Sequence, residues 1–131
     1  MAGTGRQKER NRMKTQILCY EKCSTCKKAL KWLSEREIPY ELRSITENNP
    51  TKEELTLWYQ RSGLPLKKFF NTSGNLYKEL KLKERLPKMT EEEQLLILST
   101  NGMLVKRPIV VTDSSILVGF QESLWEETFK A

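Results

Sequence analysis

Two cysteines, Cys23 and Cys26, stand where a β-type run gives way to a helical one. Residues 15–20 (TQILCY) are a short apolar run of strand-forming type, and after Glu21-Lys22 the motif Cys23-Ser24-Thr25-Cys26 follows. From Cys26 onward, Ala29, Leu30, Trp32 and Leu33 recur at three- and four-residue spacing. Lys27, Lys28, Lys31, Glu35 and Arg36 fill the opposite face, the pattern of an amphipathic helix. Pro39 ends that element, and residues 40–45 (YELRSI) alternate like a second strand. Strand, CxxC, helix, strand is a βαβ unit with cysteines at its first turn.

The spacing has a chemical reason. A thiolate, not a thiol, is the nucleophile, and a free cysteine with a pKa of about 8.5 is mostly protonated at neutral pH. A helix amino end presents unpaired N–H groups and the positive end of a dipole, and both stabilise an anion. Cys23, just before the helix, is placed to attack; Cys26, in the first turn, is placed to resolve the product as a disulfide. Lys22, Lys27 and Lys28 add positive potential. The same residues also fit a pair of ordinary small side chains at a helix start. Zinc would want four ligands; the only further cysteine is Cys19 and the chain has no histidine, so no metal is expected. Cys19, inside the first β run, reads as a buried structural thiol.

The rest of the chain divides into a helical insertion and a ββα end. Thr51-Lys52-Glu53-Glu54 and Thr90-Glu91-Glu92-Glu93 are capping boxes. The first opens a helix carrying Leu55, Leu57, Trp58 and Tyr59 that stops near Gly63-Leu64-Pro65. The second opens one carrying Leu95, Leu96, Ile97 and Leu98 that Asn101-Gly102 closes. Residues 66–70 and 76–82 are short helical candidates, separated by Asn71-Thr72-Ser73-Gly74. After Arg107-Pro108, residues 109–112 and 116–120 are two β-branched runs joined by the turn residues Asp113-Ser114-Ser115, a hairpin. Residues 121–129 close the chain as a helix. X-Pro bonds can be cis, and a Pro at a strand start gives up no ladder bond. Arg107 reads either as a surface arginine or as a thiolate partner and oxyanion clamp near Cys23.

Composition narrows the class. At 131 residues with a net charge of +6, the chain fits one domain with one core. No apolar run approaches a bilayer span, and the basic, polar amino end lacks a secretory pattern, which leaves the cytosol as the expected compartment. Residues 1–12 carry Arg6, Lys8, Arg10 and Arg12 against one glutamate and read as a disordered basic leader or a tag, with the folded domain at 13–131. So small a basic footprint gives no expectation of direct nucleic-acid binding. Without histidine, no Ser-His-Asp or Cys-His site is possible. An odd cysteine count argues against a structural disulfide framework.

These residues resemble the arsenate reductase (ArsC)/Spx family across residues 13–131. The specific pieces are Cys23-Ser24-Thr25-Cys26-Lys27-Lys28-Ala29, the run from Asn101 through Arg107-Pro108-Ile109-Val110-Val111, and Val118-Gly119-Phe120. The resemblance implies an α/β thioredoxin-like fold: a four-stranded mixed sheet with a βαβ start, a helical insertion and a ββα end. It implies that the Arg107–Pro108 bond is cis and faces the CxxC, with Ser24, Thr25, Arg107 and Pro108 lining the substrate position. Arsenate reductases form a thiol–arsenate adduct on the cysteine matched by Cys23, and glutathione with glutaredoxin completes turnover. They hold the oxyanion with three arginines: Arg107 matches one, while the other two positions are Asn71 and the neighbourhood of Gly119. The Spx branch uses its CxxC as a redox switch and binds the C-terminal domain of the RNA polymerase α subunit. A glycine of that interface aligns with Gly63, and a nearby interface arginine with Ser73.

Three readings follow: an arsenate reductase-like thiol oxidoreductase drawing electrons from glutathione, glutaredoxin or thioredoxin; a redox-sensing regulator of RNA polymerase; and a binding module on the same fold without redox chemistry. In each the chain is expected to act as a monomer, without a cofactor.

Overall fold

The computed structural model describes residues 15–130; the expected leader at 1–12 and the domain start at 13 lie outside the described residues. Period-two alternation decides the sheet. Strand β1 (Gln16–Cys19) buries Ile17 and Cys19 toward one face and Leu18 toward the other. It pairs in parallel with β2 (Glu41–Ser44) and antiparallel with β3 (Ile109–Val111), which in turn pairs antiparallel with β4 (Ile116–Val118). The order is β2-β1-β3-β4. Register puts Ile17, Val110 and Leu117 in one row across the sheet, so one flat apolar face is shared by three strands.

That face is covered by α1 (Ser24–Glu35) and α6 (Glu122–Thr128). Ala29, Trp32 and Leu33 of α1 and Trp125 of α6 join Ile17, Cys19, Cys26, Val110 and Leu117 in one cluster. Trp32 and Trp125 meet edge to face at 5.6 Å, a favoured aromatic geometry. The opposite face, with Leu18, Ile109 and Ile116, packs against the insertion. There α2 (Lys52–Ser62) and α5 (Glu91–Ser99) open on the two expected capping boxes, both formed in full. Gly63 caps α2 with φ 69°, the left-handed conformation that favours glycine.

Helix α1 begins at Ser24, with Cys23 as its cap and Cys26 in its first turn, as the motif implies. Three local expectations are corrected. The candidate at 66–70 is a 3-10 turn, Leu66–Phe69, with Phe70 bridging to Val105. The candidate at 76–82 is two helices, α3 (Asn75–Glu79) and α4 (Leu82–Arg85), because Lys81 at φ 54° breaks the run. Asn101-Gly102 does not close α5, whose cap is Thr100. Gly102 instead sits in a 3-10 turn, Gly102–Leu104, against the backbone of Ile45. A Cβ there would lie 1.7 Å from the Ile45 carbonyl oxygen, so only glycine permits the approach. Of the apolar residues that α2 and α5 carry, Leu57 and Leu96 are 52% and 55% exposed. Leu55, Trp58, Leu95 and Leu98 do the burying.

Candidate functional site

The site is assembled at the carboxyl end of β1. The chain leaves the sheet after Cys19 and turns through residues 20–23, a turn closed by the Cys23 N–H donating to the Tyr20 carbonyl at 3.0 Å. Cys23 then caps α1 in extended conformation, with no side-chain cap bond. Ser24 and Thr25 are exposed at the first two helical positions, and Cys26 is buried at the third. No acidic side chain occupies the first turn, which leaves the helix amino end positive and open to an anion. Cys23 is half-buried, so it reaches solvent while packing against the α1/α6 cluster.

Three thiols gather here. Cys26 is lowered to about 6. The first cause is a hydrogen bond from the Cys19 thiol; the Tyr20 backbone N–H, the Cys23 thiol and the Arg107 charge act the same way against burial. Cys19 is pushed upward, first by its bond to Cys26, then by burial and the neighbouring sulfurs. The CxxC pattern points to an anion at Cys23; the fold also lowers Cys26, and no local pattern around Cys19 announces that the two pack together. All three cysteines are free thiols.

Arg107 comes to the same place from the other end of the chain. Its guanidinium lies 5.0 Å from the centre of the Tyr20 ring, and its Nε and Nη1 are buried without hydrogen-bond partners among the described residues. Buried donors without acceptors are costly, and these two leave Arg107 with unmet donor capacity beside the thiols it acts on. The Arg107–Pro108 bond is cis. Pro108 is buried just before β3 and its carbonyl accepts from the Gly119 N–H at 2.8 Å.

Thr25 and Arg107 line a cleft of about 1050 Å³ that Arg61, Lys67, Lys68 and Lys106 also line, with no carboxylate among its lining residues. The doublet Lys67-Lys68 and the pair Lys106-Arg107 are visible in the sequence, but nothing local brings them together. The two further clamp positions behave differently. Asn71 binds the loop, its N–H donating to the Leu104 carbonyl at 2.8 Å. Gly119 lines the cleft, and a Cβ there would meet the Lys106 Cε at 3.4 Å. Lys22, Lys27 and Lys28 are exposed and outside the cleft lining. Gly63 is exposed between the cleft residues Ser62 and Leu64. Ser73 is exposed and donates to Asn71 Oδ1 at 3.4 Å.

A βαβ start, an antiparallel hairpin opened by Pro108 and cysteines at the amino end of α1 define a thioredoxin-like protein of a thiol-redox class. The chain belongs to the ArsC family, whose model matches residues 18–128. It is 51% identical over 110 residues to the uncharacterized protein YusI of Bacillus subtilis, covering 84% of this chain and 93% of that one. A crystal structure of a putative ArsC family related protein from Bacteroides fragilis superposes with a TM-score of 0.86 at 61% identity, covering 89% of this chain and 98% of that one. A possible arsenate reductase from Streptococcus mutans superposes at 0.81 with 36% identity, covering 88% and 98%. Among the described residues no helix is long and apolar enough to cross a membrane.

Proposed function

We propose that this chain is a thiol–disulfide oxidoreductase working through Cys23, Cys26 and Arg107. The observation that carries the reading is the placement of Cys23 as the cap of a 12-residue helix whose third residue is Cys26. The Cys23 thiolate attacks a substrate disulfide RS–SR′, forming Cys23–S–SR and releasing R′S⁻. Cys26 then attacks the Cys23 sulfur, closing the Cys23–Cys26 bond and releasing RS⁻. The substrate gains two electrons, and its thiolates take up the protons that the two cysteines lose. Glutathione, glutaredoxin or thioredoxin supplies the electrons that reopen the bond. Arg107 stabilises the negative charge that develops on sulfur, or holds an oxyanion, with Ser24, Thr25 and Pro108 shaping the substrate position.

Arsenate itself is a weaker fit, because Asn71 and Gly119 offer no guanidinium where the resemblance expects one. The test is turnover. Purified protein reduces a disulfide with one of those donors, and Cys23→Ser abolishes it; inactivity of both proteins with every donor counts against the reading. The regulator reading draws on exposed Gly63, which has no atom within 4 Å of where a side chain would start. Capture of the RNA polymerase α subunit, with and without oxidant, decides it: binding in neither state removes it.

A further inference from the structure

The oxidoreductase reading uses two of the three thiols. The third, Cys19, is the last residue of β1 and faces the first turn of α1, buried in the same cluster as Cys26. Half-buried Cys23 packs against that same cluster. Cys26 is therefore flanked by two sulfurs: Cys23 toward solvent and Cys19 toward the core. A strand end and a facing helix start are both held by the sheet and by Ala29, Trp32 and Leu33, so this arrangement does not depend on a flexible loop.

We infer that Cys19 is a third redox thiol, which takes Cys26 over from Cys23 to form a buried Cys19–Cys26 disulfide. The inference rests on the function proposed above, which supplies the oxidised starting state. From the Cys23–Cys26 disulfide, the Cys19 sulfur attacks the Cys26 sulfur. The Cys19–Cys26 bond forms as the Cys23–Cys26 bond breaks, and Cys23 leaves as a thiolate that takes up the proton lost by Cys19. No electrons enter or leave the protein in this step; the two already given to the substrate remain accounted for. Cys19, held as a thiol in the reduced protein, gives up its proton as it attacks, and its place in the cluster with Cys26 supplies the access that exchange needs. The outcome is an oxidised protein whose disulfide is shielded from small thiols and whose Cys23 is free to engage a second substrate.

The experiment oxidises the full chain with glutathione disulfide, quenches with acid, alkylates the free thiols before unfolding and maps linkages by mass spectrometry. In wild type we expect a Cys19–Cys26 linkage with Cys23 alkylated, beside molecules that hold Cys23–Cys26. Cys19→Ala should hold only Cys23–Cys26 and lose the alkylatable Cys23 of the oxidised state. Cys23→Ser, checked for an unchanged circular dichroism spectrum, should form little Cys19–Cys26 linkage, because the exchange starts from Cys23–Cys26. Folded wild type that forms Cys23–Cys26 but never Cys19–Cys26 overturns the inference and leaves the proposed function standing. Wild type that forms no internal disulfide overturns both.

Discussion

The Arg107 guanidinium rests against the Tyr20 ring, 5.0 Å from its centre, while its Nε and Nη1 face no acceptor. The ring holds the cation from one side, and the cleft it borders carries further positive charge from Lys67, Lys68 and Lys106. Under the proposed function an arginine held in this way serves reactivity at the expense of packing, and the two effects can be separated.

Arg107→Met is expected to lower turnover by roughly ten- to a hundredfold, the loss of one charge-assisted hydrogen bond of about 1.5–3 kcal/mol. Its melting temperature should stay level or rise, because the substitution also removes buried unpartnered donors. Arg107→Lys should recover only part of the turnover, since a point charge lacks the planar fork. Steady-state kinetics beside calorimetric melts give both readouts; a fall in stability that matches the fall in rate would contradict the assignment.

Cys26 is lowered to about 6, and its largest cause is the Cys19 thiol. Removing that donor must therefore raise the Cys26 value toward the ordinary thiol range of about 8.5. Thiolate absorbance near 240 nm in the reduced protein, followed from pH 4 to 10, should show a step near pH 6 in wild type. That step should move upward in Cys19→Ala and vanish in Cys26→Ser.

Arg43 grips both carboxylate oxygens of Glu54, at 2.8 and 2.9 Å, and Glu54 also receives the Thr51 N–H at 3.0 Å in the capping box. The Arg43 bonds come first among the causes that hold its carboxyl below the ordinary value. A depressed carboxyl contributes stability that is complete above its unfolded pKa of about 4.3 and is lost as pH falls through the folded value. The carboxylate is partly exposed, so the contribution at neutral pH is about 1 kcal/mol or less. Urea midpoints at pH 7 and pH 3 should converge in Glu54→Gln relative to wild type.

Gly102→Ala should cost about 3 kcal/mol or more, since its Cβ would stand 1.7 Å from the Ile45 carbonyl oxygen and backbone would have to move. Gly63→Ala, with no atom within 4 Å, carries only the left-handed backbone penalty of about 1–2 kcal/mol. Chemical unfolding of both variants should rank them in that order.

Residue neighbours along the chain decided a good share of this protein. The capping boxes at Thr51 and Thr90, the alternation that makes β3 and β4, and the amphipathic stripe of α1 all arise from groups within about four positions of one another. Cys23 and Cys26 could thus be placed at a helix start from their order alone. Tertiary structure decided what depends on distant segments meeting. In residues 95–98 every side chain is apolar, and only the approach of the insertion to the sheet chose Leu95 and Leu98 over Leu96 for burial. Gly102 is required by Ile45, 57 positions earlier, rather than by the helix it follows. The cations of the cleft converge from residues 61 to 107. Cys19 reads as an ordinary buried strand residue until the fold lays β1 beneath α1 and sets its sulfur against Cys26. Hydrogen bonds and periodicity act locally, whereas apposition and charge convergence exist only once the chain has closed on itself.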